Sequence, residues 1–168
     1  VTEQDKNPEN WRVNPEISGC GYFCDLASHQ LNLLQYLIGP IKKVRGLVDR
    51  QAAAYPAEDA VSYQILTDNK IHINGIWNFA SFKNNDQSVI VGDKGQIEFS
   101  TFENNPIVLE TGSQKQEFHI EHLENIQFPL IETMVNEMRG EGECPSNGDS
   151  AAETSRLMDA ILDRLIWI

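Results

Sequence analysis

Asp25 and His29 stand four residues apart in the run Gly21-Tyr22-Phe23-Cys24-Asp25-Leu26-Ala27-Ser28-His29-Gln30-Leu31-Asn32. On a helix, positions i and i+4 lie one above the other on the same face. The spacing therefore presents a carboxylate and an imidazole together. Just ahead of them, Gly19-Cys20-Gly21 forms a turn of small residues, where another molecule can approach the backbone closely. An imidazole gives and takes protons near neutral pH, and a carboxylate beside it can orient it. This combination makes half of a proton-transfer site. The bland alternative is a surface Asp–His pair on a helix, contributing roughly 0.2–0.5 kcal/mol.

Other chemistry-bearing residues are weaker candidates. His119-x-x-His122 has metal-like spacing, but on a strand the two side chains face opposite ways, so no metal site is assigned. His72 reads as a strand residue with a structural or interface role. Glu121, Glu124 and Glu132 read as solvated surface rather than paired catalytic carboxylates. No nucleophilic serine elbow and no phosphate-binding loop occurs in the sequence.

The elements that position Asp25 and His29 follow from periodicity. Phe23, Leu26, Leu33, Leu34, Leu37 and Ile38 recur at helical spacing and predict a helix over Tyr22 to Ile38, stopped by Gly39-Pro40. Strands are predicted at Lys43–Gln51, Ala60–Thr67, Lys70–Phe82, Gln87–Gly92, Gln96–Phe102, Ile107–Glu110 and Gln116–Ile120. The turns between them are short, which makes most neighbours antiparallel. Within the third strand Ile71, Ile73, Trp77 and Phe79 point one way and His72, Asn74, Asn78 and Ala80 the other. Helices are predicted at Phe128–Arg139 and from Ser150 to about Trp167. The order helix, strands, helices indicates an α+β fold: a large, mostly antiparallel open sheet with helices on one face. Apolar residues on both faces of the third strand, Ile76 and Phe82 among them, predict that the second face meets another copy of the chain or another domain.

Length and charge bound the function. A chain of 168 residues is long enough for a real core. Thirteen basic residues against twenty-five acidic ones give a formal charge of −12, which argues against nucleic-acid and anionic-membrane partners. No apolar run approaches the roughly 20 residues that span a bilayer. A cytoplasmic location is expected, although a signal peptide already removed would leave no trace. Cys20, Cys24 and Cys144 are expected to be free thiols that pack as small hydrophobes in a reducing compartment.

With these residues in view, the chain resembles a known family. Trp11-Arg12, then Gly19-Cys20-Gly21, then Asp25-x-x-x-His29-x-x-Asn32 resembles the C-terminal domain of the glucose–fructose oxidoreductase / inositol dehydrogenase / MocA family. The family's own pattern is approximately Gly-Gly-Gly-x-x-x-Asp-x-Gly-x-His-x-x-Asp. Leu37 to Val44 looks like its helix exit into the first sheet strand, Val91 to Glu98 like its Gly-x-x-Gly hairpin, and Cys144 to Ala151 like the turn before its last helix. The likeness spans nearly the whole chain. It implies a dihydrodipicolinate-reductase-like C-terminal domain over residues 11–168, with residues 1–10 a linker or an artificial boundary.

The resemblance also implies a role for each site residue. His29 would hydrogen-bond the reacting hydroxyl of a sugar, sugar derivative or cyclitol and shuttle its proton. Asp25 would orient His29 or contact a substrate hydroxyl. Gly19, Gly21 and Asn32 would lie at the substrate. Arg12 would hold a substrate hydroxyl or carboxylate, or serve as a structural ion-pair partner. In the family an N-terminal Rossmann domain supplies the Gly-x-Gly-x-x-Gly fingerprint for NAD or NADP and a catalytic lysine in Glu-Lys-Pro. Neither motif occurs here. The expectation is an isolated C-terminal domain, inactive alone, that partners its own Rossmann domain and forms a homo-oligomer through the sheet. Two departures bear on the substrate: Cys20 stands at the middle glycine, and Asn32 at the last aspartate. A ligand-sensing regulator and a stand-alone dimerisation module of the same fold are the competing expectations.

Overall fold

The computed structural model describes Asn7 and residues 9–163. Most of the expected linker, residues 1–6 and 8, lies outside the described residues, as do Leu165 and the expected helix end at Trp167. The chain divides into two units: residues 1–82 with 145–168, and the intervening residues 83–144. The fold is α+β with antiparallel sheets, as the sequence predicts.

In the first unit a short 3-10 turn, Trp11–Val13, leads into helix α1, Pro15–Ser18, and then helix α2, Tyr22–Ile38. Helix α2 buries Phe23, Ala27, Leu31 and Leu34, one stripe at helical spacing. It ends at Gly39, whose φ of +102° suits glycine alone. Pro40 then carries no amide hydrogen with which to continue. Strands β1, Ile41–Asp49, β2, Ala60–Thr67, and β3, His72–Asn78, form a three-stranded antiparallel sheet with β2 in the centre. The central strand alternates: Val61, Tyr63, Ile65 and Thr67 are buried on one face.

Helix α4, Gly148–Ile161, closes this unit. Its start is fixed by a capping box in which Asn147 Oδ1 accepts from the Ser150 amide, and Ser150 Oγ from the Asn147 amide, each at 3.0 Å. Two otherwise orphaned amides are satisfied reciprocally in this way. Leu157 and Ile161 of α4 join Phe23, Ala27, Leu31, Val61, Tyr63 and Ile65 in one core. Each large apolar side chain contributes about 1.5–3 kcal/mol when fully buried. Aromatic rings extend this core: Trp77 meets Phe23 edge-on at 6.0 Å, and Phe23 meets Tyr63 at 6.5 Å. Edge-to-face contact sets the positive rim of one ring against the negative face of the next. The opposite sheet face carries a cross-strand row of Leu47, Ser62 and Ile76, with Leu47 77% and Ile76 83% exposed.

The second unit is a four-stranded antiparallel meander of β4, Ser88–Val91, β5, Gln96–Phe99, β6, Ile107–Thr111, and β7, Gln114–Phe118, followed by α3, Phe128–Met138. Among the described residues, seven strands thus pair as a sheet of three and a sheet of four. Two strands stop earlier than their apolar patterns suggest. β3 ends at Asn78, where Asn78 Oδ1 accepts the Ala80 amide at 2.9 Å and turns the chain. Such a side-chain turn replaces the next ladder bond. β5 ends at Phe99 because the Asp86 carboxylate takes the amides of Thr101, Phe102 and Glu103.

Candidate functional site

The segment before α2 is held by its own polar side chains. Asn10 Oδ1 accepts the Arg12 amide at 3.2 Å and Asn14 Oδ1 accepts the Glu16 amide at 3.1 Å. Each asparagine thereby caps a short helical turn. These caps direct Arg12 toward α2. Its guanidinium lies 4.7 Å from the centroid of the Trp11 ring, and its Nε donates to Asp25 Oδ2 at 3.2 Å. The ring face attracts the cation, and the carboxylate fixes its direction. His29 follows Asp25 by one helical turn, and both are exposed. The structure therefore brings Arg12, Asp25 and His29 to one exposed face. Arg12 pairs with Asp25, and both side chains remain about half exposed.

Gly19 has a φ of +82° and caps α1 in the left-handed region, with open space around it. Glycine adopts this conformation without steric cost. Gly21 has a different reason to lack a side chain. A Cβ there would stand 2.9 Å from both Ala57 Cβ and the Glu58 carbonyl oxygen. The close approach permitted by Gly21 is that of the chain to itself. Its amide donates to Glu58 Oε1 at 2.7 Å in a buried contact. Glu58 sits at the positive end of α2, which eases the burial of its carboxylate.

Asn32 likewise faces inward. Its Nδ2 donates to Thr154 Oγ1 at 3.1 Å, and the same hydroxyl lies 2.9 Å from Gln35 Oε1 and from the Ser150 carbonyl. The asparagine thus ties α2 to α4.

Cysteine chemistry departs from the sequence expectation. Cys20 and Cys24 are not free thiols but are joined in a disulfide, and Cys144 is free and buried. Their Cα atoms are 6.1 Å apart, because the turn brings Cys20 back over the first turn of α2. That separation is ordinary for a bridge. The inference of a reducing compartment from three free thiols falls with it.

Sequence reasoning did not find Glu58 or its neighbour Asp59. Asp59 is fully buried and accepts the amides of Gln51, Ala52 and Ala53, closing the loop between β1 and β2. Two adjacent acids directly before an apolar strand, in Tyr55-Pro56-Ala57-Glu58-Asp59-Ala60, were the available signal. The other histidines lie elsewhere: His72 is exposed on β3, and His119 Nε2, just past β7, rests 3.8 Å from Glu117 Oε2. Among the described residues no helix is long and apolar enough to cross a membrane.

Comparison with known proteins identifies the family and the fold. Residues 2–98 match the family model for the GFO/IDH/MocA C-terminal domain. The chain belongs to this family. As a GFO/IDH/MocA C-terminal domain it is 32% identical over 155 residues to Oxidoreductase P35 of Formosa agariphila, covering 92% of this chain and 47% of that protein. It thus spans about half the length of the curated relative it matches. Among solved structures it is similar to aldose-aldose oxidoreductase from Caulobacter crescentus complexed with glycerol, at a TM-score of 0.80 and 20% identity over 94% of this chain and 49% of that one. It is also similar to levoglucosan dehydrogenase in complex with NADH and levoglucosan, at a TM-score of 0.79 and 17% identity over 95% of this chain and 52% of that one. These two likenesses establish the shared fold. The GFO/IDH/MocA family is one of oxidoreductases, and the α+β fold expected from the resemblance is the one observed.

Proposed function

We propose that this chain is the substrate-side domain of an oxidoreductase that moves hydride between NAD or NADP and a sugar, sugar derivative or cyclitol. One observation carries the reading: an exposed imidazole, His29, stands one helical turn from Asp25, whose carboxylate is charge-balanced by Arg12. A hydroxyl must lose its proton as its carbon loses hydride, and the reverse reaction must return it. A group that exchanges protons near neutral pH serves both directions. His29 is assigned this proton-transfer role. The Arg12–Asp25 pair offers a donor and an acceptor to neighbouring hydroxyls, and the turn at Gly19 has open space around it. Gly21 and Asn32 hold α2 in position for this work. The sugar class is supported by the two structural relatives named for an aldose and for levoglucosan.

Every strand pair among the described residues is antiparallel, so these residues form no parallel βαβ cradle for a dinucleotide. The cofactor site belongs to a Rossmann domain outside this chain, and the chain alone is without turnover. A second copy covers the exposed Leu47–Ser62–Ile76 row, a reading supported by the two large apolar side chains there.

The test is to read the encoding frame upstream of Val1 and to assay its complete product. A strand, a Gly-x-Gly-x-x-Gly turn and a helix, with nicotinamide reduction on aldoses, anhydrosugars or cyclitols, is the expected result. A frame that opens at Val1, or a complete product that reduces neither NAD nor NADP with any of these, refutes it.

A further inference from the structure

Three potential metal donors meet at the start of α2. Cys20 Sγ, Cys24 Sγ and a Glu58 carboxylate oxygen all lie within 4.8 Å of one another. Cys20 and Glu58 are buried, while Cys24 is half-buried. The Glu58 carboxylate receives the Gly21 amide, and among the described residues no cationic side chain pairs with it. In the disulfide state the two sulfurs are neutral, and the single carboxylate is accommodated by the Gly21 amide and the end of α2.

The reduced state differs. The bridge opens when a dithiol supplies two electrons and two protons, becoming a disulfide itself and leaving two thiols. Once deprotonated, two thiolates beside a buried carboxylate repel one another in a region of low dielectric, and a divalent cation that replaces the two thiol protons offsets all three charges at once.

We propose that the reduced Cys20–Cys24 pair and Glu58 form a binding site for a zinc-like divalent cation, with the disulfide as the metal-free oxidised state. The cation displaces the two thiol protons to solvent and takes two sulfur ligands and one oxygen ligand. Spacing by three intervening residues is within the range used by paired zinc cysteines. The third ligand, Glu58, lies 34 residues past Cys24 in the chain. Three protein donors leave a fourth position, open to water on the side of half-buried Cys24. Because Cys24 directly precedes Asp25, the occupant of this cluster sets the first turn of the helix that carries the candidate site. The inference stands independently of the oxidoreductase reading.

The test is cobalt(II) titration of the chain under anaerobic conditions, after reduction with a phosphine and removal of the reductant. Expected are sulfur-to-cobalt charge-transfer bands and strong visible ligand-field bands that saturate at one equivalent and vanish on adding zinc. Cys144→Ser should keep these bands, Cys24→Ser should lose them, and Glu58→Gln should weaken them. The oxidised wild-type chain, which needs no substitution to fold, should show none. Absence of the bands in the reduced chain, equal bands in the oxidised chain, or their survival in Cys24→Ser overturns the proposal. Unchanged bands in Glu58→Gln remove Glu58 from the site.

Discussion

Arg12 Nε donates to Asp25 Oδ2 across 3.2 Å, joining the turn ahead of α1 to the exposed side of α2. Both side chains are about half exposed, so water and salt screen the pair. Arg12→Ala and Asp25→Asn should each lower stability by less than about 1 kcal/mol, and the coupling energy should shrink as salt rises. A double-mutant cycle in urea, at low and high ionic strength, measures this. A coupling of several kcal/mol would make the pair a structural strut instead.

His29→Ala addresses chemistry rather than folding. The imidazole is exposed. Unfolding free energies should therefore stay within about 0.5 kcal/mol of wild type. Turnover of the complete enzyme should fall by roughly 10²–10⁴, the usual contribution of a positioned acid–base group. Steady-state kinetics beside chemical denaturation separates the two. Unchanged turnover would exclude His29 from proton transfer.

Gly21→Ala should act in the opposite sense. The added methyl would press on Ala57 Cβ and the Glu58 carbonyl oxygen, each 2.9 Å from its position, and neither has a flexible end to yield. A loss of about 1–3 kcal/mol is expected, as for overpacked cores. The midpoint of urea unfolding reads it directly, and a loss below about 0.5 kcal/mol would show that the loop before β2 gives way.

Tyr63 predicts a limit at alkaline pH. Burial raises its phenol above the ordinary tyrosine value, and a hydrogen bond from Trp77 opposes this only in part. In the unfolded chain the phenol ionises at about pH 10, while in the folded chain it keeps its proton. The folded state then binds more protons than the unfolded one, so stability falls as pH rises through the unfolded value toward the folded one. Denaturant melts from about pH 9 upward should show this decline, and Tyr63→Phe should flatten it, because an equal slope in the variant would assign the decline to other groups.

Much of this was legible in the sequence, for identifiable reasons. Helix α2 was readable because its buried stripe repeats at about 3.6 residues and Gly39-Pro40 ends it plainly. The strands were readable from alternation, as in Ile73 and Trp77 against His72 and Asn74. Their ends were not, because Asn78 and Asp86 stop β3 and β5 through side-chain hydrogen bonds that leave no periodic trace. At the site, Asp25 and His29 were visible because helical spacing alone puts them on one face. Glu58 was invisible because its partner amide, at Gly21, lies 37 residues away. Asn32 was picked out by the resemblance, but its tie to Thr154, 122 residues on, was not readable for the same reason.

That last distance has a consequence for synthesis. The first unit is interrupted in sequence by the second, and α4 is the last described helix of the chain. A ribosome releases α2 and the three-stranded sheet long before it releases Leu157 and Ile161, which complete their shared core. For that interval Phe23, Leu31 and Val61 lack a cover, and the nascent chain presents an apolar surface to whatever is nearby. Closing so long a loop is also slow relative to local pairing. The inserted meander, whose neighbours are all sequential, can pair its strands while the first unit waits. Chaperone dependence during translation, and truncations before Ser150 that aggregate rather than fold, are the expected marks of this ordering.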